Sequence, residues 1–173
     1  MFKKALIFGL LASVVIVGFG LFGYRMTQDS SDVKLWEILG YLGMILGFSL
    51  IFVAIKTYKE KELGGVIRFS TAFRLGILIT LVASVVYIVT WEIQLSDSRD
   101  DFIDTYQASI MEEFKQSGAT EEEIAQKQTE LSEFKELYKN PFFRLVISLM
   151  EIFPVGLLIS LLSAALLRNK SSG

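Results

Sequence analysis

Apolar residues fall into four long runs, roughly 5–24, 36–55, 75–93 and 142–167, with most of the charged residues held outside them. Each run has about the 20 apolar residues needed to cross a ~30 Å hydrocarbon core. A helix on the surface of a soluble domain would carry a polar face at a period of 3.6 residues, and these runs carry none. The pattern predicts an all-α integral membrane four-helix bundle, with residues 1–173 forming one membrane domain.

Between the third and fourth runs the pattern changes. In 96–140, Phe102, Ile103, Tyr106, Ile110 and Phe114 recur at helical spacing, and so do Ile124, Leu131, Phe134 and Tyr138. Ser117-Gly118 supplies a stop, because glycine tolerates the left-handed conformation that follows a helix end. Thr120 with Glu123 has the spacing of a capping box. Asn140-Pro141 offers a cap and a first-turn proline for the fourth span. The segment is expected to be a helical hairpin inserted between the third and fourth spans, its two apolar stripes packed together.

Charge gives these elements a direction. The segment 96–140 holds twelve acids (four Asp and eight Glu) against five bases, a net of −7. Lys3, Lys4, Lys56, Lys59, Lys61, Arg68, Arg74, Arg168 and Lys170 all fall on the opposite side, against Glu60 and Glu62. The positive-inside rule then puts both termini and the 56–74 connection in the cytoplasm and turns the acidic hairpin outward, extracytoplasmic. Four spans satisfy these assignments together; three or five do not. The first run follows Lys3 and Lys4 as a signal peptide would, but it is longer than a signal core. Gly18-Phe19-Gly20 is the nearest approach to a cleavage site, so an uncleaved span is expected. Past Gly64-Gly65, 66–73 is expected to be an interfacial turn. Its cations and their neighbours fit topology determinants in contact with anionic lipid headgroups. A short patch held against the bilayer, with no recognition module, does not fit nucleic acid.

Composition narrows the chemistry. The chain has no cysteine and no histidine, which excludes disulfides, thiolate chemistry and the commonest general base and metal ligand. The acids around Asp100, Asp101 and Asp104, or Glu121, Glu122 and Glu123, could form a weak divalent-cation surface. They lack the spaced ligands and obligatory glycine of a calcium loop, and a solvated face accounts for them. No cofactor is expected, and with no carboxylate pair placed for two-metal chemistry the chain does not look like an enzyme.

Within the spans, small residues recur four apart: Ala5, Gly9 and Ser13; Gly43 and Gly47; Gly76, Thr80 and Ser84; Gly156, Ser160 and Ala164. Such rows let helices approach closely in lipid; lining a pore is the alternative. Glu151 is the most unusual residue. It lies roughly 14 Å into the fourth span at 1.5 Å per residue, where a charge costs at least ~2.5 kcal/mol on insertion scales. Pro154 follows and frees the Met150 carbonyl. Arg144 precedes it on the same face, and Glu37 and Glu92 sit near the outer ends of their spans. Two arrangements fit this candidate intramembrane polar site. One is an ion-pair cluster of Glu37, Glu92 and Arg144, with Glu151 protonated or bonded to Ser13, Thr80, Ser84 or Tyr87. The other is a proton or cation site at Glu151 beside the Pro154 kink.

Two stretches carry a family resemblance. One is Gly64-Gly65-Val66-Ile67-Arg68-Phe69-Ser70-Thr71-Ala72-Phe73-Arg74-Leu75-Gly76, continuing through Ala83-Ser84-Val85-Val86-Tyr87. The other is Glu151-Ile152-Phe153-Pro154-Val155-Gly156, followed by Leu157-Leu158-Ile159-Ser160-Leu161-Leu162-Ser163-Ala164-Ala165. Together they resemble an uncharacterised bacterial four-span membrane family, domain of unknown function 4199. The resemblance covers essentially the whole chain. It implies a small inner-membrane protein and supplies no activity or catalytic residues. The expected function is therefore a non-enzymatic membrane protein whose outward hairpin meets an envelope partner, with a homo-oligomer of such bundles as the other expected association. The alternative is a small oligomeric ion or proton-coupled transporter using Glu151.

Overall fold

The computed structural model describes residues 1–27, 33–96 and 99–169, and these form six helices and no strands. The helices are α1 (Phe2–Thr27), α2 (Val33–Glu62), α3 (Phe69–Gln94), α4 (Arg99–Gln116), α5 (Glu121–Tyr138) and α6 (Pro141–Leu167). Helices α1, α2, α3 and α6 are each long and apolar enough to cross a membrane. They run alternately up and down, so the ends nearest the hairpin lie together, with Glu37 and Glu92 among them, and the lysine- and arginine-rich ends lie together at the other side. The helices overrun the apolar runs. α2 has 30 residues, about 45 Å at 1.5 Å per residue, so its Lys56–Glu62 end extends past the hydrocarbon into the headgroup level.

Around the bundle, α1 packs on α2 and α3, and α6 packs on α3 and α2. Close approach is possible because the small residues sit at the seams. A Cβ on Gly47 would lie 2.8 Å from the Ala12 carbonyl oxygen, and one on Gly9 would lie 2.6 Å from Val82 Cβ. Where α3 meets α6, a Cβ on Gly76 would lie 2.7 Å from Ser160 Oγ, and one on Gly156 would lie 2.4 Å from Thr80 Cγ2. Every residue of the four small-residue rows is buried. The rows are packing surfaces, closed around a core of Phe48, Ile51, Leu75, Ile79 and Ile152, all fully buried. The large apolar side chains on the outside, such as Val14 at 70 %, Met150 at 68 % and Leu166 at 75 % exposure, form a surface suited to lipid and not to water.

The caps form as their spacing predicts. Thr120 Oγ1 accepts from the Glu123 amide, and the Glu123 carboxylate accepts from the Thr120 amide at 2.8 Å, a complete capping box. Asn140 caps α6, accepting from the Phe142 amide at 2.9 Å, with Pro141 in the first turn. Gly118 takes φ +85° between α4 and α5. At the basic end, Gly64 and Gly65 take φ +62° and +87°. The turn there is shorter than the 66–73 expected. α3 starts at Phe69, because Phe69 and Phe73 stack one turn apart with centroids 5.8 Å apart and join the core. Lys59 donates to the Leu167 carbonyl at 2.9 Å, and Asn169 pairs with the Ile67 backbone through both its amide and its side chain. These contacts close the basic end. Lys170 and the centre of the α1–α2 connection lie outside the described residues.

The hairpin is real but differs from two stripes zipped together. Gln107 donates to the Leu131 carbonyl and Lys135 pairs with Asp104, while Phe114, Ile124 and Leu131 remain half-buried. Its buried residues are Ile103 and Tyr138 at the base and Met111 farther along α4. Phe102 stacks on Tyr106 within the stripe and also packs edge-on against Trp36 and Trp91 of the bundle. Edge-to-face contacts with the tryptophan pair are favourable beyond the apolar area they bury.

Candidate functional site

The acid-rich end of the bundle is built around a tryptophan pair. Trp36, one turn into α2, and Trp91, one turn from the end of α3, stack with centroids 5.6 Å apart and planes 18° apart. Each is followed in sequence by a glutamate, and the two glutamates have different fates. Glu92 meets Arg144. Arg144 Nε and Nη2 donate to its two carboxylate oxygens at 2.7 and 2.8 Å, and Arg144 Nη1 donates to the carbonyls of Tyr138 and Lys139, both at 2.9 Å. The guanidinium, only 4 % exposed, thus ties α3 and α6 together and satisfies the last carbonyls of α5. Glu37 lies elsewhere: it lines the cavity below the hairpin together with Glu151. The expected three-residue ion-pair cluster is therefore a pair, Arg144 with Glu92, and Glu37 belongs to a different site.

That cavity holds about 280 Å³. Its floor is Glu151 on α6 and Tyr87 on α3, whose hydroxyl donates to Glu151 Oε2 at 3.2 Å. Glu37 and Tyr41 of α2 and the Trp36–Trp91 pair form one side. The hairpin contributes Phe102, Tyr106, Phe134 and Tyr138 as the cover. A smaller pocket of about 50 Å³ shares Trp36, Glu37, Tyr87, Trp91 and Glu151 and extends toward α1 along Gly20 and Leu21. Tyr138 accepts from Trp91 Nε1 at 3.3 Å, which fixes the hairpin base on the tryptophan pair. Burial pushes the Tyr106 hydroxyl above its ordinary range, with Glu37 and Glu151 adding to the shift. Burial raises Tyr138 too, against the lowering effect of the Trp91 bond. Both remain neutral phenols able to donate hydrogen bonds.

The other sequence candidates fall away from this cavity. Pro154 is exposed on the outer face of an unbroken α6 and does not line it. Thr80 donates to the Gly76 carbonyl at 3.0 Å and faces Ser160. Ser13 donates to the Leu10 carbonyl at 2.8 Å. Of the four proposed partners of Glu151, Tyr87 is the one that reaches it. Among the described residues no three carboxylates converge on a metal position. Asp104 is paired with Lys135 and Glu123 is held in its capping box, and the Asp100 side chain lies outside the described residues. The sequence reading passed over Trp36, Trp91 and Tyr41, and gave Tyr106 only as a residue of the hairpin stripe. The signal was available in the two Trp-Glu dipeptides, one at each acid-rich end of two antiparallel spans.

The chain belongs to a family of proteins of unknown function, DUF4199, whose model matches residues 3–169. Searches of curated proteins and of solved structures find no match.

Proposed function

We propose that this DUF4199 member is a non-enzymatic, multi-pass protein of the bacterial inner membrane that works by binding, with both termini cytoplasmic and the acidic hairpin outward as its interacting element. The observation that carries this is how the hairpin is mounted. Its apolar residues at the base are fixed on the bundle by Phe102, Ile103 and Tyr138. Its far end presents Glu112, Glu121, Glu122 and Lys115 to solvent, while Glu113 pairs with Lys34 of α2 at 2.6 Å. A segment that served only to connect α3 to α6 would not need 18-residue helices, a complete capping box and an aromatic anchor. The exposed acids match a basic partner surface in the envelope, while the cations at the opposite end match anionic headgroups.

The transport alternative has less support. Glu151 is approached from the hairpin side, whereas on the other side Ile152, Thr80, Phe48 and Ser160 are fully buried and Gly156 is in tight contact with Thr80.

Photo-crosslinkers placed at Glu112 and Glu133 in cells test the proposal, with lipid-facing Leu158 as control. Protein adducts specific to the hairpin positions are expected. The paired charge reversals Glu121→Lys and Glu122→Lys should abolish them while the bundle stays folded. Adducts that survive the reversal unchanged, or appear equally at Leu158, would overturn the reading.

A further inference from the structure

The covered cavity has a chemistry of its own, separate from the outward face of the hairpin. We infer that it is a binding site for a small organic cation, an ammonium or quaternary ammonium group carried by a free molecule or by a lipid headgroup.

Three observations lead there. First, two carboxylates, Glu37 and Glu151, share the cavity wall. No lysine or arginine lines either pocket, and Arg144, two turns away on α6, is engaged by Glu92. Two carboxylates facing one pocket repel each other, and a cation held between them relieves that repulsion. Second, the rest of the wall is aromatic. Trp36, Trp91, Tyr41 and Tyr106 stand around the same space, and ring faces attract cations through their quadrupole, most strongly when the site is shielded from water. Third, a volume of about 280 Å³ lies at the lower edge of the ~300–1,000 Å³ typical of small-molecule sites, enough for a compact organic headgroup.

The alternatives fit less well. A hard metal ion requires about six or more oxygen ligands, and rings do not supply them. A neutral apolar guest would offset neither carboxylate's charge. The tryptophans face inward on the site: they stack on each other, and Phe102 packs edge-on against both.

The chain has two tryptophans, and both line the site, so intrinsic fluorescence reads it directly. The full chain in nanodiscs of phosphatidylglycerol is titrated with choline, and in parallel with its neutral carbon isostere 3,3-dimethyl-1-butanol and with sodium chloride at equal ionic strength. A saturable emission change with choline alone is expected. Glu151→Gln should weaken it roughly tenfold or more, the scale of one charge-assisted contact. Glu37→Gln alters an exposed side chain and leaves folding intact. It should weaken binding in the same direction and decides the matter if Glu151→Gln does not fold. Adding phosphatidylethanolamine or phosphatidylcholine to the nanodisc separates the sources. Competition with choline assigns a lipid headgroup, and unchanged affinity assigns a free ammonium compound. An equal response to the neutral isostere, no saturable response, or wild-type affinity in Glu37→Gln would overturn the inference.

Discussion

Arg144 grips both carboxylate oxygens of Glu92 across the α3–α6 interface, at 2.7 and 2.8 Å. The same guanidinium holds the carbonyls of Tyr138 and Lys139, so one side chain fixes two spans and the base of the hairpin. Removing one partner leaves the other charge without compensation in a low-dielectric setting. Arg144→Ala should destabilise the protein by about 3 kcal/mol, toward the low end of such losses because Glu92 retains some solvent access. The double change Arg144→Leu with Glu92→Leu should recover much of that loss. Thermal unfolding in detergent, run as a double-mutant cycle, measures the coupling; additive losses would contradict it.

The glycine seams make a sharper prediction. A Cβ on Gly156 would meet Thr80 Cγ2 at 2.4 Å and Phe48 Cζ at 2.9 Å, so Gly156→Ala should destabilise the bundle by about 1–3 kcal/mol through overpacking. Gly18 is exposed, with nothing within 4 Å of its added Cβ, and Gly18→Ala should be neutral or slightly favourable. Parallel melting curves of the two variants provide the comparison, and equal effects would show that the α3–α6 contact is looser than described.

The capping box gives the hairpin a pH response. The backbone amide of Thr120, and then its hydroxyl, hydrogen-bond the Glu123 carboxylate and hold it below the ordinary glutamate range. A carboxylate with a depressed folded-state value stabilises the fold above the unfolded value and loses that contribution as pH falls through the folded one. The first turn of α5 should therefore fray on acidification below the ordinary glutamate range while the spans stay intact. Amide hydrogen exchange at Glu123 and Ile124 follows this directly. In Thr120→Ala those amides should exchange faster at neutral pH and show little further change in acid.

Orientation can be tested cleanly because the chain has no cysteine. A single cysteine at Ser117, at the hairpin tip, should react with a membrane-impermeant maleimide added to spheroplasts. One at Ser70, at the basic end, should react only after permeabilisation. The reverse pattern would turn the proposed topology over.

Much of the architecture is legible along the chain because it depends on local chemistry. Run length and apolarity define α1, α2, α3 and α6, and glycine, Thr120–Glu123 and Asn140-Pro141 mark the hairpin's turns and caps. The small-residue rows announce close packing, since only backbone proximity is at issue. The site is less legible. Glu37 and Glu92 look equivalent from spacing, yet Arg144 takes Glu92 while Glu37 lines the same pocket as Glu151. Phe102 fits a hairpin stripe by period, yet it closes the tryptophan pair.

The sequence by itself determined the four apolar helices, their alternating direction and the charged segment that must form a hairpin, because a hydrocarbon solvent and backbone caps act on each segment separately. The tertiary structure alone decided which helices are neighbours, which glutamate pairs with Arg144 and that the hairpin's aromatic side roofs a carboxylate-bearing cavity. Those outcomes depend on how each helix is rotated about its axis. Inside a lipid-facing bundle both outer and inner faces are apolar, so no hydrophobic pattern along the chain marks that rotation, and only side-chain fit between helices sets it.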